Sequence, residues 1–468
     1  MSEDITFERK IDLKLILSII AAGAMTLCGV IIETSMNITF PTLMKEFGIG
    51  TSTVQWITTG YLLVLAIIMP TSAFLQKRFK MKHIFITAAV MFIIGTIICA
   101  AAPVFVMLLL GRLIQGVGTG LALPLMYNIV LEQAPYDKMG TIMGIATLIP
   151  AAAPAIGPSL GGLIVTYLGW RMIFVLLLPV LVAALIIGCL SIRQAAPTEN
   201  VKFDIAGLIY LGLSFTFLIL AMSFAGSYGW GSMQFILPII GFAVMLLIFA
   251  GHAMHSSNPL IHLDVFKNRQ FTFTLFGFAL IQFICLGIGF LVPNFSQLVH
   301  GTTAFVAGCI LLPGCALFAV LSPLSGKILD RKGAALPFIT GSVCFIVSQI
   351  LFTAVIRNSS TVILILIYML FTFGQGITVG NALTYGLSSL PENRSADGNS
   401  VYNTMQQLFG ALGTSVVSTV VADAQTSEAS MTAGTVTGTY HAFMILTVLA
   451  ICVALFLILG LRAGKKTS

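Results

Sequence analysis

The chain has 468 residues, of which 58% are hydrophobic and only 8% are charged, and its mean hydropathy is +1.03. A soluble domain carries roughly 25% charged residues, so this composition excludes an ordinary soluble protein and predicts a polytopic membrane protein. The formal net charge of +7 is better explained by membrane topology than by nucleic-acid binding, and no nucleic-acid partner is expected.

Apolar segments recur along the whole chain, and each is close to the ~20 residues that a spanning helix needs. We predict an all-α protein with fourteen transmembrane helices. The predicted spans are 15–42, 55–75, 84–102, 105–131, 140–166, 172–192, 204–226, 232–252, 271–293, 303–325, 335–355, 361–387, 400–421 and 440–461. An even number of spans places both termini on the same side of the membrane.

The basic residues indicate which side that is. With a cytoplasmic N-terminus, nearly all of the 23 lysines and arginines fall in cytoplasmic segments. Only Lys45, Arg171 and Arg357 fall on the outer side, while Arg112 lies within a span. The positive-inside rule therefore predicts that both termini are cytoplasmic.

Two longer cytoplasmic segments, at 193–203 and 253–270, flank the seventh and eighth spans. Removing this pair leaves six spans on each side, which predicts two pseudo-symmetric lobes. We therefore predict an N-terminal lobe over 1–195, a two-helix insert with its linkers over 196–258, and a C-terminal lobe over 259–468.

Short sequence similarities support a duplication. A basic turn with Lys77 and Arg78 follows span two, and another with Arg331 follows span ten. Gln115-Gly116 in span four has a counterpart in Gln375-Gly376 of span twelve. Each similarity recurs eight spans later, as two lobes separated by a two-span insert would require.

Two ionisable residues, Glu33 and Arg112, lie deep within predicted spans. A charged side chain in a bilayer costs at least ~2.5 kcal/mol, and such residues usually mark a proton or ion pathway. Span one runs outward and span four inward, so both residues reach the outer half of the membrane. This arrangement favours a role in proton coupling, with a permanent structural ion pair as the alternative.

Span five contains a proline at every fourth position: Pro150, Pro154 and Pro158. Prolines at this spacing lie along one side of a helix and tend to bend it. Gly157 and Gly161 permit close approach by another helix. The pattern predicts a span that rocks or seals, and ordinary small-residue packing is the alternative.

Polar side chains inside the other spans are candidates for a substrate cavity, although interhelical hydrogen bonds would explain most of them equally well. The candidates are Asn37, Gln115, Gln282, Asn294 and Asn381, and further polar residues in spans are Asn128, Gln375, Asn403 and Gln406.

Features of enzymes are missing from the sequence. The eight cysteines form no CxxC pair, which disfavours a disulfide framework or a metal site, and no cofactor is expected. No P-loop, HExxH or GxSxG motif is found, so neither an ATPase nor another enzyme is expected. An ion gradient would have to drive transport, and one charge crossing ~100 mV supplies about 2.3 kcal/mol.

Together these residues resemble the major facilitator superfamily, and more narrowly its fourteen-span drug:proton antiporters (EmrB/QacA type). The segment from Glu33 to Pro41 is similar to the family's acidic first-span motif. The segment from Arg112 to Gly118 matches the RxxQGxG motif of span four, which the family links to proton transfer. Gly157-Pro158-Ser-Leu-Gly161-Gly162 matches the antiporter motif of span five, which implies export.

The loop after span two departs from the family's GxLaDrxGrk motif, because Ala73, Lys77 and Lys80 replace its two glycines and its aspartate. The second copy keeps more of the motif. The resemblance therefore implies a gating role for Lys77 and Arg78 and stronger gating contacts in the second loop, where the matching residues are Gly326, Asp330, Arg331 and Gly333.

The resemblance implies a proton-coupled antiporter of a bacterial plasma membrane that exports amphipathic drug-like compounds by alternating access. Its partners would be small molecules, protons and the lipid bilayer, and a monomer is expected. A dedicated exporter of one metabolite on the same fold, such as an amino acid, siderophore or lipid-like molecule, is the main alternative. A receptor or scaffold without transport is a second one.

Overall fold

A computed structural model describes residues 11–135, 139–194, 198, 202–256, 258–358, 360–391 and 394–464. Within these ranges the side chains of a few residues, including Asp330, fall outside the description.

The described chain is helical, and fourteen helices correspond to the fourteen predicted spans. The second is a series of four helical segments, Thr51–Val54, Trp56–Ile68, the 3-10 turn Met69–Thr71 and Ser72–Arg78, which we call α2 together. The others are α1 (Leu13–Phe47), α3 (Met81–Ala101), α4 (Phe105–Gln133), α5 (Met139–Leu168), α6 (Arg171–Ser191), α7 (Ile205–Tyr228), α8 (Met233–His255), α9 (Arg269–Leu298), α10 (Ala304–Lys332), α11 (Ala335–Val355), α12 (Thr361–Leu387), α13 (Ser395–Ser427) and α14 (Met431–Gly464).

α11 (Ala335–Val355) and α12 (Thr361–Leu387) coincide with their predicted spans, whereas several other helices are longer, and polar residues cap some of them. Asp12 caps α1 by accepting a hydrogen bond from the Leu15 N–H at 2.9 Å, and Asn268 caps α9 in the same way through Phe271. Such caps satisfy N–H groups that have no partner within the helix. Gly333 ends α10 with a φ of +73°, a conformation that glycine adopts without steric cost.

The helix contacts repeat with an offset of eight. In the first half α1 packs against α4, α5 and α6, while α4 packs against α2 and α3. In the second half α9 packs against α12, α13 and α14, while α12 packs against α10 and α11. We call α1–α6 the N lobe and α9–α14 the C lobe.

The two lobes meet along α5 and α10, along α2 and α13, and between α1 and α9. The remaining pair, α7 and α8, forms a hairpin whose α7 packs against α13 and α2. Only 6% of the apolar stretch of α8 is buried within the protein, so α8 lies on the outside of the helix bundle.

Thirteen of the helices are long and apolar enough among the described residues to cross a membrane, and α5 contributes the shorter apolar stretch Ile156–Leu168. The protein is therefore an all-helical, multi-pass membrane protein with two six-helix lobes and a two-helix insert. The exact lobe limits of 1–195, 196–258 and 259–468 stay predictions.

Candidate functional site

A cavity of about 300 Å³ lies between the lobes near the middle of the helices. Its N-lobe wall is formed by Val30, Glu33, Thr34, Asn37, Leu123, Tyr127, Pro154 and Pro158. Its C-lobe wall is formed by Gln282, Cys285, Leu286, Gly289, Leu311, Cys315, Phe318, Tyr368, Thr372, Gln375, Val379, Asn403, Gln406 and Gln407. This mixture of apolar walls and a few polar groups is typical of small-molecule sites.

Hydrogen bonds between the lobes close the cavity at the end that the sequence assigns to the outside. The Gln297 side chain donates to the Ile38 carbonyl at 2.9 Å, and the Asn294 amide donates to the Asn37 carbonyl at 3.3 Å. The N–H of Phe305 in α10 donates to the Thr166 hydroxyl of α5 at 3.1 Å. These bonds hold the outer ends of the lobes together.

Space continues from the cavity toward the opposite end. A second cavity of about 170 Å³ shares Leu123, Tyr127 and Asn403 with the first. It reaches Gln76 near the end of α2 and Asn399 near the start of α13, which are the ends that the sequence assigns to the cytoplasm. The conformation is therefore sealed on one side and has space between the lobes on the other.

Glu33 lies in α1 on the N-lobe wall of the cavity. Glu33 is only 9% exposed to solvent, and its carboxylate makes no hydrogen bond or ion pair with the described part of the protein. Among the described residues that line the cavity, it is the only aspartate, glutamate, histidine, lysine or arginine. A proton or a cationic group that enters the cavity would therefore meet a single carboxylate.

Arg112 is fully buried in α4, and its guanidinium is only partly satisfied. Its Nη1 donates to Gln115 Oε1 at 2.8 Å, and its Nε donates to the Ile57 carbonyl at 3.3 Å. Its Nη2 has no hydrogen-bond partner among the described residues. A buried cation with a free donor is energetically costly. This cost indicates that Arg112 has a role other than filling space in the core.

Glu33 and Arg112 are not ion-paired in this conformation, because no salt bridge within 4.0 Å joins them among the described residues. Tyr61 of α2 lies next to both helices instead. The Arg112 guanidinium carbon is 4.0 Å from the centre of the Tyr61 ring, a cation–π distance. The Tyr61 hydroxyl donates to the Gly29 carbonyl at 3.4 Å, about one turn from Glu33 along α1.

The glycines of the α5 motif lie at two helix contacts. A Cβ at Gly157 would lie 1.9 Å from Thr34 Oγ1, and one at Gly161 would lie 2.4 Å from Ser35 Cβ. The Ser35 hydroxyl donates to the Gly157 carbonyl at 2.7 Å. These contacts pack α5 directly against the residues of α1 that follow Glu33.

The other contact of the motif crosses between the lobes. A Cβ at Gly162 would lie 2.3 Å from the Ala304 carbonyl oxygen of α10. In return, a Cβ at Gly308 of α10 would lie 2.1 Å from the Pro158 carbonyl oxygen. Only small residues allow this approach, so α5 and α10 form the tightest described part of the outer closure.

The predicted gating residues lie at the opposite end. Lys77 and Arg78 end α2 and are exposed, and Arg331 is exposed in the last turn of α10. A Cβ at Gly326 would have no described heavy atom within 4 Å, and Gly333 ends α10. The side chain of Asp330 is outside the described residues. The gating role stays a prediction.

The five predicted cavity residues occupy different places. Asn37 and Gln282 line the cavity. Gln115 is buried beside Arg112 and donates to Thr96 Oγ1 at 2.9 Å. Asn294 lies in the outer closure, and Asn381 donates to the Ser325 carbonyl at 3.2 Å within the C lobe.

Sequence reasoning missed Tyr61 and Gln407, and it named Asn403 and Gln406 only as further polar residues within spans. Asn403, Gln406 and Gln407 follow the i, i+3, i+4 spacing that places side chains on one helix face, and they all line the cavity. That spacing was a usable signal. No pattern in the sequence indicated the contact of Tyr61 with Arg112.

No three His, Cys, Asp or Glu side chains of the described residues lie together in a way that could hold a metal ion. The sequence model of the Major Facilitator Superfamily matches residues 22–414. This chain belongs to the major facilitator superfamily. Members of this superfamily are transporters, which agrees with a cavity between two lobes that is closed at one end.

Its curated relatives in the superfamily include resistance proteins. The chain is 34% identical to the lincomycin resistance protein LmrB of Listeria monocytogenes, over 99% of this chain and 100% of that protein. It is 35% identical to LmrB of Bacillus subtilis, over 88% of this chain and 86% of the relative. A multidrug resistance protein B homolog of Mycobacterium tuberculosis is 25% identical, over 86% and 75%.

Solved structures show the same fold. A bacterial homolog of the human lysosomal transporter Spinster, in an inward-facing conformation, has a TM-score of 0.70 with 15% identity, over 98% of this chain and 99% of that one. A POT family transporter in complex with 5-aminolevulinic acid also has a TM-score of 0.70, with 16% identity over 97% and 96%.

Proposed function

We propose that this protein is a proton-coupled antiporter that exports amphipathic drug-like compounds by alternating access. The observation that carries the proposal is Glu33, the single carboxylate on the wall of a cavity between two lobes. The resistance proteins that resemble the chain over most of its length support drugs as substrates.

Exchange would follow from competition for Glu33. In the cytoplasm-facing conformation the carboxylate releases its proton and binds a cationic or polar substrate from the cytoplasm. In the outward-facing conformation the substrate leaves and a proton from outside neutralises the carboxylate. Burial makes the uncompensated carboxylate costly, so one of the two ligands accompanies each change of conformation.

Arg112 would adjust the proton affinity of Glu33 as the lobes move. A cation stabilises a nearby carboxylate and thereby favours release of its proton. Tyr61 contacts both the guanidinium and the backbone of α1, so it would transmit movement of one helix to the other. The free Nη2 of Arg112 leaves a donor available for a new partner in another conformation.

The change of conformation would separate α5 from α10. Their contacts at Gly162 and Gly308 form without side chains in between, so they would open without any side chain having to move aside. We further propose that the protein works as a monomer in a bacterial plasma membrane, with both termini in the cytoplasm. Neither enzymatic activity nor nucleic-acid binding forms part of the proposal.

Purified protein in proteoliposomes tests the proposal. With an imposed pH gradient, uptake of lincomycin and of several unrelated cationic dyes should be driven by protons and should stop when a protonophore collapses the gradient. Without an imposed gradient, addition of substrate should cause release of protons. Transport of a single compound from the panel would indicate a specialist exporter. A transport rate that does not depend on the pH gradient would refute proton coupling.

A further inference from the structure

The two walls of the central cavity differ in chemistry. The N-lobe wall carries Glu33, whereas the C-lobe wall carries no charged residue among those described. The C-lobe wall instead carries five carboxamides: Gln282, Gln375, Asn403, Gln406 and Gln407. A carboxamide both donates and accepts hydrogen bonds, so this wall can bind uncharged polar groups of either kind.

Three of these carboxamides have donors and acceptors that are free to hydrogen-bond a ligand. Gln375 donates to Cys285 Sγ at 3.2 Å, and Asn403 donates to the Asn399 carbonyl at 2.9 Å. By contrast, the side chains of Gln282, Gln406 and Gln407 make no hydrogen bond with the described part of the protein. We call these three the amide wall.

Gln282 is the most informative member of the amide wall, because its residue is only 6% exposed and yet it lines the cavity. An amide that faces a cavity loses its water partners when a ligand fills the space, and a ligand with donors and acceptors can replace those hydrogen bonds. Gln282 lies in α9, while Gln406 and Gln407 lie in α13, so the wall is formed by two helices that pack against each other.

Apolar side chains surround these polar groups. Leu286, Leu311, Phe318 and Val379 line the same C-lobe half of the cavity. A ligand that fits all of these surfaces has one amine for Glu33, an apolar part, and several uncharged donors and acceptors for the amide wall. Lipophilic cations without such groups would leave the amides unpaired.

We propose that the amide wall is the specificity determinant of the cavity and selects amphipathic amines that carry several hydroxyl or amide groups over lipophilic cations that lack them. This inference rests on the proposed export function. It extends that function by assigning recognition of the uncharged polar part of the substrate to Gln282, Gln406 and Gln407.

The physical basis is the penalty for an unsatisfied site. A site built to hydrogen-bond its ligand discriminates strongly against an analogue without those groups, because its own buried polar groups then lose their partners. Replacing the amides with methionine, which has similar length and no donor, removes that penalty. The preference for hydroxylated amines should then fall.

The experiment compares two probes in proteoliposomes with an imposed pH gradient. Lincomycin is an amine with an amide and several hydroxyl groups, and tetraphenylphosphonium is a lipophilic cation with none. The readout is the ratio of their kcat/KM values. In Gln282→Met and in the double variant Gln406→Met/Gln407→Met, the ratio should fall about tenfold, equivalent to ~1.4 kcal/mol of discrimination.

Gln349→Met is the matched control. Gln349 is a fully buried glutamine of the C lobe that does not line the cavity, so its replacement should leave the ratio unchanged. A ratio that is equally unchanged in the amide-wall variants would overturn the inference, as would a wild-type protein that transports only tetraphenylphosphonium.

Equilibrium binding of both radiolabelled probes to the purified protein in detergent measures the same preference without transport. If proton-driven transport of both probes is absent but the binding ratio falls in the amide-wall variants, the export function fails while the recognition site stands. If binding of lincomycin is unaffected by the substitutions, the recognition site itself is wrong.

Discussion

The N lobe and the C lobe share one pattern of helix contacts but differ in the chemistry at equivalent positions. Glu33 lies eight residues before Pro41 in α1, and Cys285 lies eight residues before Pro293 in α9. Both line the cavity. At these two equivalent positions the carboxylate is therefore present in the N lobe alone.

The second member of the proposed proton site shows the same difference. Arg112 lies three residues before Gln115-Gly116, and Thr372 lies three residues before Gln375-Gly376. Thr372 bonds only to its own helix among the described residues, donating to the Tyr368 carbonyl at 3.1 Å. The comparison teaches that proton coupling and polar recognition can be assigned to different lobes of one duplicated fold.

The largest effect is expected when the acid is removed. Glu33→Gln should abolish gradient-driven efflux, because glutamine has a similar shape but cannot exchange a proton. Cys285→Ala, at the equivalent position of the C lobe, should keep the response to the pH gradient. Efflux of a dye from cells and proton-driven uptake into proteoliposomes measure both variants, with expression checked by immunoblot. If both variants respond alike, the asymmetry between lobes has no functional meaning.

Arg112→Ala should uncouple proton movement from transport and also destabilise the N lobe. Gln115 Oε1 would lose its guanidinium donor and keep only the weak contact from the Cys99 thiol at 3.8 Å, and a poorly satisfied buried group costs about 1–3 kcal/mol. Thr372→Ala is the matched change in the C lobe, and it should leave proton release intact. Proton release on substrate addition is followed with a pH-sensitive dye. Normal release by Arg112→Ala would exclude the arginine from coupling.

A moderate effect is expected at the contact between α5 and α10. Gly308→Ala introduces a methyl group 2.1 Å from the Pro158 carbonyl oxygen, and such overpacking typically costs about 1–3 kcal/mol. The outer closure should therefore open in a larger fraction of molecules. Electron spin resonance distances between labels at the outer ends of α5 and α10 report this population.

Gly380→Ala is the control for that substitution, because Gly380 lies in α12 of the same lobe with no described atom within 4 Å of the added carbon. It should leave the distance distribution of the wild type unchanged. Equal distributions for all three proteins would show that the glycine contact does not control the closure.

The smallest effect is expected in the hairpin, which belongs to neither lobe. Asp204 caps α7 and accepts hydrogen bonds from the Gly207 N–H, from His252 and from the Leu260 N–H. Burial opposes ionisation, but these bonds outweigh it and hold the pKa of Asp204 below its ordinary value of 3.8. Asp204→Ala should cost about 0.5–2 kcal/mol of stability, as loss of a cap does.

Because the pKa is lower in the folded protein, this stabilisation is present above about pH 4 and is lost as the pH falls through the folded pKa. Thermal unfolding of the wild type and of Asp204→Ala should therefore differ at neutral pH and converge in strong acid. A constant difference across the acid range would show that ionisation of Asp204 contributes nothing.

Much of the fold was predictable because the length and hydropathy of the apolar segments determine how many helices cross the membrane. Fourteen apolar segments were sufficient for the helix count, and the resemblance of the motifs at Glu33, Arg112 and Gly157 indicated the family. Helix ends were less predictable, since α13 begins at Ser395, among polar residues that a hydropathy window does not include.

The site was predictable only in part, because the rotation of a helix decides which polar residues face a cavity. Gln115 lies on the same helix face as Arg112 and bonds to it, and the i, i+3 spacing contained that information. The positions of Asn294 and Tyr61 depend on contacts with distant helices. Such contacts are set by tertiary packing, which no local pattern encodes.

The hairpin bridges the boundary between the lobes through two successive residues of α7. Ser223 accepts a hydrogen bond from the Trp56 indole of α2 at 2.9 Å, and the Met222 carbonyl accepts one from the Thr419 hydroxyl of α13 at 2.9 Å. If the lobes rock apart at this level, both bonds cannot persist. The insert would then move together with one lobe and break its hydrogen bond to the other. Each transport cycle would therefore include the free-energy cost of breaking that bond.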